Sequence, residues 1–302
     1  MKLLLLGKDG QVGWELQRAL SPLGRVIALG RRAADLDDLD TLRRCIRQHR
    51  PDVVVNAAAY TAVDKAESEP QQAYRRNAEA VGALAEEVEQ LGALLVHYST
   101  DYVFDGRKLG AYEEDDEPNP LNVYGSSKLQ GERRIRDTKA RHLIFRTSWV
   151  YAVRGVNFPR SILRLARERE ELRVVADQSG APTSAQLIAD VSAIALYRCL
   201  RAPADGEGLF GTYHLTASGT TNWHAYAVEL LSLAEARGMK FKAHADAVRP
   251  ITAAEYPLAA KRPANSSLSN RKLSRVFGLE LPDWRHHLAR FVDEVSAIGE
   301  AS

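Results

Sequence analysis

Lys2-Leu3-Leu4-Leu5-Leu6-Gly7-Lys8-Asp9-Gly10-Gln11-Val12-Gly13 opens the chain, and its reading decides the fold. A short apolar run ends in glycines at 7, 10 and 13, and Trp14 to Leu20 continues with helical periodicity. Strand, glycine turn and helix form a unit suited to a dinucleotide pyrophosphate. The glycines permit a tight turn, let phosphate approach the main chain and let helix and strand pack closely. The helix N-terminus adds N–H groups and a partial positive charge. The spacing is G-x-x-G-x-x-G rather than the commoner G-x-G-x-x-G, so it acquires meaning only with other features. Gly7, Gly10, Gln11 and Val12 are the candidate phosphate-binding residues.

Outward from this turn, mostly unbroken apolar runs occupy Arg25 to Leu29, Asp52 to Ala57, Leu94 to Ser99 and His142 to Thr147. Such runs suit parallel strands buried on both faces. Helical spacing fills the intervals at Gln11 to Leu20, Leu39 to Arg50, Gln71 to Leu91 and Ser126 to Lys139. Repeated βα units predict an α/β, Rossmann-like doubly wound parallel sheet over residues 1–150, with ligands at the carboxyl ends of the strands. From 151 to 302 the pattern loosens into a smaller mixed α/β region, expected to bind substrate. It comprises helices at Asn157 to Glu168, Ala185 to Leu200, Asn222 to Arg237 and Trp284 to Ile298, and strands near Leu172 to Val175 and Tyr213 to Leu215. The acidic stretch Gly110 to Asn119 reads as a solvated, proline-containing turn.

Composition excludes several classes. The 302 residues are 45% hydrophobic, enough for a sizeable core. With 41 basic and 39 acidic residues, no broad field points to nucleic acid or an anionic membrane, so phosphate recognition must be local. Cys45 and Cys199 both fall in predicted helices and read as reduced thiols. The first apolar run is too short for a signal peptide, and no run reaches the ~18 apolar residues of a membrane helix. A cytoplasmic location is the expectation.

The chemistry is expected at Ser99-Thr100-Asp101-Tyr102-Val103-Phe104 and Tyr124-Gly125-Ser126-Ser127-Lys128. If 124–128 is helical, tyrosine and lysine stand at i and i+4 on one face. A nearby ammonium would draw the phenol down from its usual pKa of about 10 and make it a proton donor to an oxygen. The Thr100 hydroxyl could hold that oxygen from the other side. Asp101 beside it suits a hydrogen bond to a substrate hydroxyl. After the second strand, Arg31 and Arg32 stand where a carboxylate would favour NAD. Guanidinium matches a 2′-phosphate, so NADPH is expected, with NADH as the alternative. Lys261, Arg262 and Asn265, stiffened by Pro263, are candidates for gripping a nucleotide diphosphate.

In this order, the glycine turn, S-T-D-Y-V-F and Y-x-x-x-K resemble the extended short-chain dehydrogenase/reductases. Five further stretches narrow the likeness: Asn56 to Glu67, His97 to Phe104, Phe145 to Tyr151, Asp177 to Thr183 and Arg262 to Ser266. Together they are similar to the dTDP-4-dehydrorhamnose reductase family from about residue 1 to about residue 285. The resemblance implies NADPH-dependent reduction of the C4 keto group of dTDP-4-dehydro-6-deoxy-L-mannose to dTDP-L-rhamnose, as in the biosynthesis of rhamnose-containing polysaccharide.

It further implies that Tyr124, Lys128 and Thr100 are catalytic, and that Asp35 and Leu36 contact adenine. Ala59, Tyr60, Thr61 and Tyr98 would line the dinucleotide, and Trp149 would sit against the sugar. Residues 184–215 would rejoin the first domain. In some relatives three glutamates bridge a homodimer through a divalent ion. Glu15 and Glu294 match two of them, but Gln186 replaces the third, so no metal is assigned and a homodimer stays an open expectation. An acidic residue follows the aspartate in related sugar-nucleotide dehydratases, whereas Tyr102 stands here. An epimerase or dehydratase of the superfamily, and a non-catalytic reductase-like regulatory subunit, are the competing readings.

Overall fold

Leu3 to Leu6 are fully buried because β1 (Lys2–Leu6) lies inside the sheet, with β2 (Arg25–Leu29) on one side and β3 (Val53–Asn56) on the other. The structure, a computed structural model, describes residues 1–202 and 207–300. Residues 203–206 and 301–302 of the predicted 151–302 region lie outside the described residues. Between the first strands run α1 (Gln11–Ala19) and α2 (Leu39–His49). After β3 come α3 (Val63–Ala66), α4 (Pro70–Tyr74), a π-helical segment Arg75–Glu79 and α5 (Ala80–Leu91). β4 (Leu94–Thr100), α6 (Val123–Arg136) and β5 (Arg141–Thr147) complete the first half.

Side chains alternate across a strand, so the sheet has two cores. Leu3, Leu5, Val53, Val55, Leu94 and Val96 pack with Leu16 of α1 and with residues of the C-terminal half. Leu4, Leu6, Val54 and Leu95 pack with Leu42 of α2, Leu84 of α5 and Ile135 of α6. Two apolar faces need unbroken apolar strands, which is why the sequence does not alternate.

The second half begins with β6 (Val150–Tyr151), α7 (Phe158–Glu168), β7 (Leu172–Val175), β8 (Ser179–Gly180), β9 (Thr183–Ser184) and α8 (Ala185–Arg201). β10 (Gly211–His214), β11 (Thr221–Asn222), α9 (Trp223–Ala236), β12 (Val248–Ile251), α10 (Arg271–Phe277) and α11 (Trp284–Glu300) follow. The main sheet has six strands, β10-β5-β4-β3-β1-β2, all parallel. It is a Rossmann-like sheet flanked by helices, with a smaller substrate-binding region toward the C-terminus. α8 packs on α1, and β10 joins the sheet with Gly211 opposite Leu143. Three two-stranded pairs, β12-β7, β11-β8 and β6-β9, build the smaller region.

The long helix expected over Gln71 to Leu91 is divided by the π segment, and α6 starts at Val123, ahead of Ser126. The earlier start has a cause in Asn122, whose Oδ1 accepts the Gly125 N–H at 2.7 Å and caps the helix. The two-residue strands, α3, α10 and β12 carry too little periodicity to be read from sequence.

Candidate active site

The carboxyl ends of β1, β3, β4 and β5 open into one cleft of about 640 Å³. Its floor is the glycine turn. Gly7 has φ +84°, and a methyl group there would stand 2.7 Å from the Ala58 nitrogen. A methyl group on Gly13 would collide with the Gly7 carbonyl, so only glycine lets α1 press onto the turn. Gly10 caps α1 without a side-chain bond, and Gly10, Gln11 and Val12 line the cleft. Orphan first-turn N–H groups and the positive end of α1 therefore face the space a pyrophosphate would fill. Gln11 is steadied by Asn157, whose Nδ2 donates to Gln11 Oε1 at 2.8 Å.

At the β2 end, Arg31, Asp35 and Leu36 line the cleft, whereas Arg32 is exposed and outside its lining. Arg31 donates to Asp35 Oδ2 at 3.3 Å and to Asp37 Oδ2 at 3.0 Å. Arg76 grips Asp37 with two bonds of 2.7 and 2.6 Å, and with Arg31 it holds that carboxyl below its ordinary range. Ala59 and Thr61 line the cleft beside Ala57 and Ala58. Tyr60 does not. Its hydroxyl donates to Glu69 at 2.9 Å, and its ring lies 5.5 Å below Arg76.

The opposite end is fixed by α6. Gly125 and Gly131 lie so close to the Tyr102 and Asn77 carbonyls that any β-carbon would collide with them. Asn77 Nδ2 donates to Ser127 Oγ at 3.0 Å, and Arg146 of β5 forks onto buried Glu132 at 2.9 and 2.7 Å. Helix and sheet are thereby locked with Tyr124 and Lys128 turned into the cleft.

Lys128 is buried. It donates to the Tyr98 carbonyl at 2.6 Å and lies 3.3 Å from His97 Nε2. Burial lowers its pKa to about 8, opposed by the charge of Glu132. His97, squeezed by burial and by Lys128, is held well below the usual histidine range and stays neutral. Tyr98 presents its carbonyl to Lys128 and its hydroxyl to Ser192 at 2.8 Å.

The Tyr124 phenol differs from expectation. Burial pushes it up to about 12, a Thr100 hydrogen bond pulls the other way, and the Asp101 charge raises it further. The ammonium expected to depress it is directed at Tyr98 and His97 instead. The phenol therefore keeps its proton at neutral pH. Thr100 Oγ1 accepts from the Tyr102 N–H at 3.2 Å and donates to Asp101 Oδ1 at 2.9 Å. Asp101 is buried, which raises its pKa to about 6, although Ser266 and Thr100 bond it.

Trp149 lines the cleft with φ +47°, a region few tryptophans occupy. Its ring stacks on Trp223 at 3.5 Å and 11°, and a methyl group on Gly180 would stand 2.6 Å from its Cε2. Arg262 and Asn265 are not among the lining residues. Arg262 is paired with Asp64 at 3.0 and 2.7 Å, next to Tyr102. Asn265 donates to the Lys108 and Gly110 carbonyls, each at 2.8 Å, and accepts the Ser267 N–H at 2.9 Å. Glu15, Gln186 and Glu294 border a separate small cavity where Gln186 donates to Glu294 at 3.1 Å.

Sequence reasoning missed Asp9, Arg76 and Trp223 in the lining and His97 behind Lys128. Asn222-Trp223 does carry one signal, an N-cap asparagine placing an aromatic residue at a helix start. Asp9 sits inside the glycine turn, and Arg76 and His97 are brought in by tertiary contact.

A family model described as RmlD substrate binding domain matches residues 1–297. A dTDP-4-dehydrorhamnose reductase of Burkholderia thailandensis is 51% identical over 286 residues, 95% of this chain and 96% of that protein. The crystal structure of a dTDP-4-dehydrorhamnose reductase from Clostridium acetobutylicum superposes with TM-score 0.88 at 35% identity, covering 98% of this chain and 99% of that one. The enzyme of that name from Bacillus anthracis, solved in complex with NADP, gives TM-score 0.86 at 33% identity over 97% and 99%. Agreement over nearly the whole length in sequence and in backbone leaves one assignment: the chain belongs to the dTDP-4-dehydrorhamnose reductase family.

Proposed function

We propose that the chain reduces the C4 keto group of dTDP-4-dehydro-6-deoxy-L-mannose to give dTDP-L-rhamnose, using NADPH. Whole-length kinship with reductases of that name supports the reaction and the use of NAD(P)H. When bound, the dihydronicotinamide supplies the hydride. The glycine turn with Gln11 and Val12 holds the pyrophosphate. Ala59, Thr61 and Tyr98 flank the dinucleotide, with Asp35 and Leu36 at the adenine. NADPH is preferred to NADH on the strength of Arg31, which lines the cleft past the end of β2.

The observation that carries the chemistry is the convergence of Thr100, Tyr124 and Lys128 on one wall of the cleft that ends at the open helix terminus. Thr100 orients the carbonyl oxygen, and Tyr124 gives its proton to the alkoxide formed there. A phenol near 12 suits that step, because an alkoxide is about as strong a base as hydroxide, whose conjugate acid has a pKa of about 15.7. Lys128, anchored on the Tyr98 carbonyl, holds the nicotinamide ribose. Asp101 accepts from a sugar hydroxyl, and Trp149, backed by Trp223, offers a wall to the apolar face of the pyranose. Arg262 and Asn265 act on the nucleotide diphosphate from one row behind the lining, by shaping the loop that carries them.

A cytoplasmic location and a homodimer complete the reading, with no nucleic-acid or membrane partner. No helix among the described residues is long and apolar enough to cross a membrane.

The test is Tyr124→Phe. Turnover of the dTDP-4-keto sugar should fall by about 10³-fold or more while NADPH binding, read by nicotinamide fluorescence, stays within a few-fold. A superfamily epimerase would convert its sugar nucleotide without consuming added NADPH, and a binding subunit would leave the variant indistinguishable from the parent.

A further inference from the structure

The adenosine end of the cleft holds a feature that the sequence at the end of β2 does not announce. In doubly wound folds the residue just past β2 governs the adenosine ribose, and a carboxylate there accepts from the 2′- and 3′-hydroxyls. Here that residue is Gly30, with Arg31 after it. Gly30 is not bare. A methyl group built on it would collide with Asp9 Oδ2 and stand 3.5 Å from Lys8 Cε, so the Asp9 carboxylate from the glycine turn lies against the Gly30 backbone. Any side chain at 30 would displace it.

Three carboxylates line the cleft: Asp9, Asp35 and Asp101. Asp35 is paired with Arg31 and accepts the Asp37 N–H at 3.1 Å, and Asp101 is bonded by Thr100. Among the described residues, the Asp9 carboxylate has neither an ion pair nor a hydrogen bond. Lys8 sends its chain past the same glycine without closing a bridge to it. The cations facing this end from the other elements, Arg31 and Arg76, are committed to Asp35 and Asp37. An unneutralised acceptor thus stands at the carboxyl end of β2, delivered from the β1–α1 turn.

We infer that Asp9 is a specificity-determining residue: it accepts from the adenosine ribose hydroxyls of NADH and repels the 2′-phosphate of NADPH, offsetting Arg31. This rests on the NAD(P)H reading above. Geometry and charge pull against each other across one ribose, Arg31 for the phosphate and Asp9 for the diol. Discrimination between the two dinucleotides is small as a result, and the glycine turn sets it as much as β2 does.

The experiment measures dissociation constants of NADPH and NADH for the full-length chain by nicotinamide fluorescence, for the parent, Asp9→Asn and Arg31→Ala. The parent ratio by itself tests which dinucleotide is preferred. Asp9→Asn keeps the size of the side chain and removes its charge. It should tighten NADPH by about tenfold and weaken NADH by up to about threefold, most strongly at low salt. Arg31→Ala should move the ratio the other way. If Asp9→Asn leaves the NADPH/NADH ratio within twofold of the parent, Asp9 does not face the ribose and the inference fails, whatever the parent prefers. Unchanged unfolding midpoints for the exposed Asp9 variant separate this from a folding defect.

Discussion

Two regions expected at the ligand are built differently. At the α6 end, Tyr124 and Lys128 stand on a helix pinned to the sheet by a buried guanidinium–carboxylate fork and two close glycine contacts, and every side chain expected there is in the lining. On the loop Lys261–Ser266, two cations and an amide were equally expected at a ligand, yet Arg262 and Asn265 spend their hydrogen bonds on Asp64 and on the Lys108 and Gly110 carbonyls. The lesson concerns what fixes direction. A helix with a known buried face constrains where residues four apart point, whereas a loop residue turns toward whichever partner the folded chain brings near it.

Perturbing the pinned end should give the largest effect. Lys128→Met should lower kcat/KM by about 10³-fold, roughly 4 kcal/mol, and loosen NADPH as well, in contrast to Tyr124→Phe. Lys128 also predicts a pH limit: activity should decline as the pH passes about 8 and the ammonium loses its charge. Glu132→Ala should cost about 3 kcal/mol in urea unfolding, because Arg146 would be left charged and buried without its partner.

The loop should respond more weakly and in stability rather than chemistry. Asn265→Ala is expected to cost about 1 kcal/mol by losing its bonds to two solvent-exposed carbonyls and to the Ser267 N–H, with kcat nearly unchanged. A large rise in sugar-nucleotide KM without loss of stability would instead put Asn265 directly on the substrate. The smallest effect concerns Asp101. Burial raises its pKa to about 6, so the carboxylate is present above that pH and lost below it. The KM for the sugar nucleotide should rise several-fold between pH 7 and pH 5, and Asp101→Asn should flatten that profile. The same shift makes ionised Asp101 costly to the fold. The folded state binds the extra proton between about pH 4 and pH 6, so this contribution to stability declines as the pH rises through that window.

How far the sequence reaches follows from these contrasts. The glycine turn, Thr100, Tyr124 and Lys128 could be found because strand ends and helix faces obey periodicity. The direction of the Tyr124 pKa could not, since it depends first on how deeply the phenol is buried, and Lys128 is taken up by Tyr98 and His97 on a different element. Arg31 was legible as a charge but not as a charge already paired. Arg76 reaches the cleft by contacts that no local pattern encodes. Short strands such as β8 and β11 exist only because each finds the other across the fold.

The placement of β10 has a consequence for how the chain is made. β5 pairs with β4 as soon as residue 147 is available, but its other edge is completed only when Gly211 to His214 arrive. A ribosome adding about 5–20 residues per second would leave the unpaired N–H and C=O groups of that edge open for several seconds, a window in which a nascent chain can pair with the wrong strand. Truncations that stop before residue 211 should therefore aggregate rather than yield a stable amino-terminal half.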